Sequence, residues 1–220
     1  MTRPQQFDLI AFDWDGTLFD STALIARCIQ RAAVDIGLPE PEFDRCRYVI
    51  GLGLRDALEH AVPGLAAERY PELGLRYRHH YLASEHELAL FEGTLEMLAA
   101  LKARRHGLAV ATGKNRAGLD RVLAAQEMHG LFDATRTADE TRSKPHPQML
   151  LELMAELGVA PERTLMIGDT THDLQLAMNA GAARVGVSFG AHDHETFAEL
   201  KPLFVAHSTP ELHRWLLDHA

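Results

Sequence analysis

Residues 7–22 read FDLIAFDWDGTLFDST. The apolar run Leu9-Ile10-Ala11-Phe12 delivers the chain to Asp13, Asp15 follows two residues later, and Gly16 and Thr17 then turn it. Two carboxylates almost side by side at the end of a hydrophobic segment repel each other and lose hydration. That placement calls for a compensating partner, either a bound cation or a shared proton. Comparable apolar runs recur at 108–111 before Thr112, at 164–167 before Gly168-Asp169, at 184–187 before Ser188-Phe189-Gly190, and at 203–206. Each is short and lacks strict alternation, the pattern of strands covered on both faces.

Helical patterns lie between these runs. Residues 94–105 carry Leu95, Leu98, Ala99 and Leu101 on one side and end in Lys102, Arg104 and Arg105, which suit a helix C-terminus. Residues 147–158 space Leu150, Leu153, Met154 and Leu157 helically, with Pro147 in the first turn and Gly158 past the end. Ser208-Thr209-Pro210-Glu211 opens a last helix in the order of cap, proline and acid. The alternation predicts an α/β fold, a Rossmann-like doubly wound parallel sheet. Residues 19–90 break it: helical segments at 21–37, 43–50, 54–62 and 66–84 follow one another without a convincing strand. The expected organisation is therefore a catalytic core, 1–18 and 91–220, with an inserted α-helical cap domain, 19–90.

Composition narrows the function. Of 220 residues, 46% are apolar, enough for a packed core, and 22 Lys and Arg against 31 Asp and Glu give a net charge of −9. An acidic surface disfavours nucleic acid and anionic membrane as partners, while leaving room for a small anionic substrate in a locally positive pocket. Cys28 and Cys46 are too few for a disulfide framework and read as reduced thiols. No run approaches a membrane span and the first residues lack a signal core, so a cytoplasmic protein is expected. Nothing in the sequence reports the oligomeric state.

Ligands of open parallel sheets bind beyond the carboxyl ends of the strands, so the polar residues that end the apolar runs should converge. They are Asp13 and Asp15, then Thr112, Gly113 and Lys114, then Lys144 of Ser143-Lys144-Pro145, and finally Asp169 and Asp173 of Gly168-Asp169-Thr170-Thr171-His172-Asp173. Four carboxylates, two lysines and a hydroxyl suit a hard divalent cation with a phosphoryl group between it and a lysine.

In type, spacing and order, these motifs resemble those of the haloacid dehalogenase superfamily over nearly the whole chain. The helical insertion resembles the subclass with a helical cap, as in phosphoglycolate phosphatase and β-phosphoglucomutase. The resemblance implies a Mg²⁺-dependent phosphatase acting on a small phosphorylated metabolite, with phosphoglycolate the nearest named substrate. It further implies Asp13 as nucleophile and Asp15 as general acid and base. Asp13, the Asp15 backbone carbonyl and Asp169 would hold Mg²⁺, with Asp173 reaching the site through water or Lys144. Thr112, Gly113 and Lys144 would grip the phosphoryl oxygens, and Arg55 falls where related caps read substrate. Asp173 has a second reading as an acid in a helix first turn, and Arg55 as a surface arginine.

Where the subclass commonly has Thr-Asn-Lys, this chain has Thr112-Gly113-Lys114, with Asn115 one residue late. A phosphomutase shares every core residue and remains the alternative; a non-catalytic binding member would be expected to have lost one of them. A metal-free dehalogenase would not need Asp15, and a Schiff-base phosphonate hydrolase would need a cap lysine, yet no lysine precedes Lys102. Trp14 should point away from both acids into the core. His192 and His194 read as surface histidines in a loop, and His79 and His80 as neighbours on a helix that point apart.

Overall fold

The computed structural model describes residues 5–126, 128 and 130–220. Six parallel strands form one sheet: β1 (Leu9–Phe12), β2 (Gly107–Thr112), β3 (Ala134–Thr137), β4 (Thr164–Gly168), β5 (Ala183–Val187) and β6 (Val205–Ala206). Their spatial order is β3-β2-β1-β4-β5-β6. The chain fills one side of β1 and then crosses to the other, so the loops after β1 and β4 part at a topological switch point. Register aligns Phe12 with Val110 on one side and with Ile167 on the other.

Both faces of the sheet are covered, as the unalternating runs require. Ile10, Phe12, Val110 and Ile167 pack on one face against Met97, Leu98 and Leu101 of α5 (Thr94–Ala103) and Leu212 and Leu216 of α9 (Thr209–His219). Leu9, Ala11, Ala109, Ala111 and Met166 pack on the other against Leu150 and Leu153 of α7 (Gln148–Leu157) and Leu176 of α8 (Thr171–Asn179). Gly158 ends α7 in the left-handed conformation at φ 66, as its position past the helix predicts.

The insertion after β1 is helical: α1 (Thr22–Asp35), α2 (Phe43–Tyr48), α3 (Leu54–Ala61) and α4 (Tyr70–Ser84). These helices share their own apolar cluster, including Ile25, Ile29, Cys46, Leu58, Leu73 and Tyr81. Two connecting segments run alongside each other where the insertion leaves and rejoins the sheet: Asp20 N–H donates to Ala89 O at 3.0 Å, and Phe91 N–H to Leu18 O at 3.0 Å.

Three expectations change in detail. The segment 66–84 is a short 3₁₀ turn, Ala67–Arg69, followed by α4. The last strand shrinks to Val205–Ala206. Strand β3 and helix α6 (Arg116–Ala125) were not anticipated. Cys28 and Cys46 are free and buried, and among the described residues no helix is long and apolar enough to cross a membrane.

Candidate active site

The β1 ladder runs one residue past the strand, with Asp13 N–H donating to Ile167 O at 2.9 Å. A tight turn follows, in which Trp14 O accepts from Leu18 N–H and Phe19 N–H, both at 3.0 Å. Gly16 holds it with φ at 87, and a Cβ there would collide with the Asp169 carboxylate. Trp14 is buried among Phe19 and Phe132, ring centroids 5.7 and 6.4 Å away, so it packs as expected.

Asp13 is fully buried. Its Oδ1 accepts from Lys144 Nζ at 2.6 Å, and its Oδ2 is buried without a hydrogen-bond partner. Lys144 Nζ also lies 2.7 Å from Asp173 Oδ1. The other Asp173 oxygen accepts from Thr170 Oγ1 at 2.6 Å and Thr170 N–H at 3.1 Å, closing a capping box at the start of α8. Asp173 thus caps a helix with one oxygen and meets Lys144 with the other. Asp169 accepts from Thr17 Oγ1 at 2.8 Å and from Ala191 N–H at 2.7 Å.

Asp13, Asp169 and Asp173 each offer an oxygen within 4.8 Å of the others. Burial pushes Asp13 well above the usual carboxylate range, with Asp173 and Asp169 adding repulsion against the pull of Lys144. Burial likewise pushes Asp169 up to about 7, reinforced by Asp173. Burial alone would lower the Lys144 ammonium, but Asp13 and Asp173 hold it above its ordinary range. Three carboxylates against one ammonium leave two negative charges uncompensated when all are ionised. That excess, the all-oxygen donor set and the orphaned Asp13 Oδ2 fit a hard divalent cation.

Asp15 stands outside this trio. Its Oδ1 accepts from Ser21 Oγ at 2.6 Å and lies 3.1 Å from Lys114 Nζ, which donates to Tyr81 Oη at 2.9 Å. That leaves its backbone carbonyl as the group the sequence reading assigns to the cation. Thr112 ends β2 buried, with Oγ1 accepting from Lys114 N–H at 3.1 Å. At Gly113 a Cβ would lie 2.5 Å from Leu52 O and 2.7 Å from Gly51 O, so only glycine lets the insertion loop approach this closely. Gly53 N–H donates to Ser143 Oγ at 2.8 Å, beside Lys144. Asn115, one residue late for a phosphate ligand, instead caps α6 by accepting from Gly118 N–H at 2.9 Å.

A cavity of about 640 Å³ extends from Asp15 and Lys114 between the strand ends and the insertion. Arg55 lines it, ion-paired with Glu59 and seated over the Tyr70 ring at 4.8 Å. Ser21, Tyr77 and Tyr81 join the site or its cavity without having been singled out by sequence, and Thr17, read there only as part of the turn, holds Asp169. The one available signal was the four-residue spacing of the two tyrosines on a helix.

The expectation for His192 is corrected. It is buried, stacked on Tyr48 at 4.8 Å, and its Nε2 meets Tyr48 O at 2.8 Å, as does His172 Nε2 at 2.9 Å. A residue from the insertion covers what would otherwise be a loop histidine. His194 is exposed, and His80 pairs with Asp35; His79 and His80 do not point apart as expected, their rings meeting edge to face at 5.5 Å.

A family model described as haloacid dehalogenase-like hydrolase matches residues 10–187. The chain is 33% identical to a protein named probable phosphatase IndB from Dickeya dadantii, over 93% of this chain and 91% of that protein. It is 35% identical to a phosphoglycolate phosphatase of Caulobacter vibrioides, over 90% and 86%. The crystal structure of a predicted phosphoglycolate phosphatase from Haemophilus somnus superposes with a TM-score of 0.85 at 28% identity, covering 96% of this chain and 99% of that one.

Proposed function

This chain belongs to the haloacid dehalogenase-like hydrolases, and from that premise we propose that it is a Mg²⁺-dependent phosphatase of small phosphate monoesters, working through an aspartyl-phosphate on Asp13. The observation that carries the reading is the buried Asp13 carboxylate, with one oxygen held by Lys144 and the other left without a partner.

One carboxylate oxygen of Asp13 attacks phosphorus, an O–P bond forms to the aspartate, and the ester P–O bond breaks. Asp15 gives its proton to the departing oxygen. In the second half a water attacks phosphorus, Asp15 takes its proton, and the Asp13–phosphate bond breaks to release inorganic phosphate. Ser21 and Lys114 hold the Asp15 carboxylate in place for both transfers. Lys144 offsets the charge of Asp13 so that an anionic phosphoryl group can approach, and Thr112 and the Gly113 N–H grip its oxygens. Asp13, the Asp15 carbonyl and Asp169 would hold Mg²⁺, with Asp173 acting through Lys144; when bound, the cation polarises the phosphoryl oxygens and neutralises their charge.

We read residues 19–90 as a cap that opens for substrate and closes to exclude water, moving on the paired segments near Leu18 and Leu90. The relatives' names supply phosphoglycolate as a first compound to assay. Asp13→Asn is expected to eliminate Mg²⁺-dependent phosphate release from a generic aryl phosphate while leaving the melting transition cooperative. An undiminished rate from contaminant-free variant would refute the mechanism.

A further inference from the structure

The cavity beside Asp15, about 640 Å³, falls within the roughly 300–1,000 Å³ typical of pockets that enclose drug-sized ligands. The two-carbon alcohol portion of phosphoglycolate would fill little of it. Its walls carry Ile25 and Ile29 of α1, Ile50 after α2, and Tyr77 of α4. Tyr77 stacks against Tyr81 with centroids 5.9 Å apart and planes at 27°. Burial pushes both phenols above their ordinary range, which keeps them neutral.

Charge in the cavity points the same way. A substrate carboxylate needs an uncommitted cation, and the basic lining residues are Arg55, Arg78, Lys114 and Arg121. Lys114 is held between Asp15 and Tyr81, Arg55 by Glu59, and Arg121 by Glu85 at 2.8 Å. Arg78 is exposed. Asp15, Asp56 and Asp139 line the same space and repel a second anion.

From volume, apolar walls and the pairing of three of the four lining cations we infer that this pocket takes a phosphate monoester whose alcohol bears a flat, weakly charged ring seated against Tyr77, in preference to a compact acid such as glycolate. The inference rests on the phosphatase reading above and names its substrate class. Aromatic faces bind flat rings by stacking and by burial of apolar area.

The test measures phosphate release from acetyl phosphate, phosphoglycolate, benzyl phosphate and a nucleoside 5′-monophosphate, in wild type and Tyr77→Leu. The better ring-bearing compound should exceed phosphoglycolate in kcat/KM by at least about tenfold, the scale of one stacking contact. Tyr77→Leu should lower the ratio of ring-bearing to acetyl phosphate turnover by about tenfold. Phosphoglycolate equal to or better than both ring-bearing compounds overturns the inference, and so does an unchanged ratio in Tyr77→Leu. In those cases Asp13-dependent cleavage of acetyl phosphate would leave the phosphatase reading standing. Absence of phosphate release from every compound would overturn that reading and the inference with it.

Discussion

Replacing Asp169 with asparagine should stabilise the metal-free protein, and increasingly so as pH rises to about 7. Burial, reinforced by Asp173, raises the Asp169 carboxyl from 3.8 to about 7. Its favourable state, protonated in both folded and unfolded chains, is fully present below the unfolded value near 3.8. As pH rises the unfolded chain releases its proton first, and the cost to the fold grows until about pH 7, where the folded group ionises too. At about 1.4 kcal/mol per unit, the two units between about pH 5 and pH 7 cost the wild type about 3 kcal/mol. In a domain of this size that is roughly 6–12 °C in Tm.

Histidines act in the opposite sense over part of this range. Burial lowers His106, His172 and His192, the last to about 4, so their contribution is lost as pH falls below 6.5. They are common to both proteins, so they cancel in the difference in Tm between wild type and Asp169→Asn, which reads the loss of the Asp169 carboxyl together with the relief of its repulsion on Asp13. Thermal melts in EDTA at about pH 5, 6, 7 and 8 should show that difference widening and then levelling off. Mg²⁺ should reverse the trend in the wild type, raising Tm more at pH 8 than at pH 5, because it binds carboxylates that have already ionised. A Tm difference constant across the series, or a Mg²⁺ effect largest at acid pH, would refute the reasoning.

Lys144→Met removes the ammonium that lies 2.6 Å from Asp13 and 2.7 Å from Asp173, with none of its side chain exposed. It should lose about 3–5 kcal/mol in a denaturant melt together with all phosphatase activity, and Asp173→Asn in the same background should return part of the stability. Wild-type stability in the single variant would contradict the pairing. Gly113→Ala places a methyl group 2.5 Å from Leu52 O, a backbone atom that can move only with its loop. Its kcat/KM should fall by about tenfold or more with little change in Tm, since under the proposed cap motion the displaced loop would bear on closure rather than on the sheet. A crystal structure of that variant with residues 51–53 unmoved would exclude the explanation.

The sheet and its acidic ends were legible because a strand covered on both faces leaves an unbroken apolar run, and the polar residues just past such a run form the ligand-facing loop. Ala134–Thr137 escaped because it is an edge strand with three polar residues of four: Arg136 reaches outward to Glu152 and Glu156. Helix Arg116–Ala125 has Gly118 in its first turn, which weakens any propensity signal. His192 was misread because its burial depends on Tyr48, a distant residue of the insertion, and local pattern carries no trace of such a contact. The two roles of Asp173 could not be separated from sequence, since a capping acid and an anchor for a buried lysine look alike until the lysine arrives.

Each segment of the site is unfavourable taken alone. The loop after β1 presents two acids without a cation, the segment before α7 presents a lysine with nowhere dry to put its charge, and the loop after β4 with the first turn of α8 adds two more acids. Burying any one of them unpaired would cost several kcal/mol. Register brings them together, because Phe12 aligns with Ile167 and so sets Asp13 beside Gly168 and Asp169 at the switch point. Lys144 then compensates Asp13 and Asp173 at once, and the charge still uncompensated is what a divalent cation would meet. The same contacts therefore constrain folding and would serve the proposed chemistry, so damage to Lys144 should be visible in stability before any substrate is added.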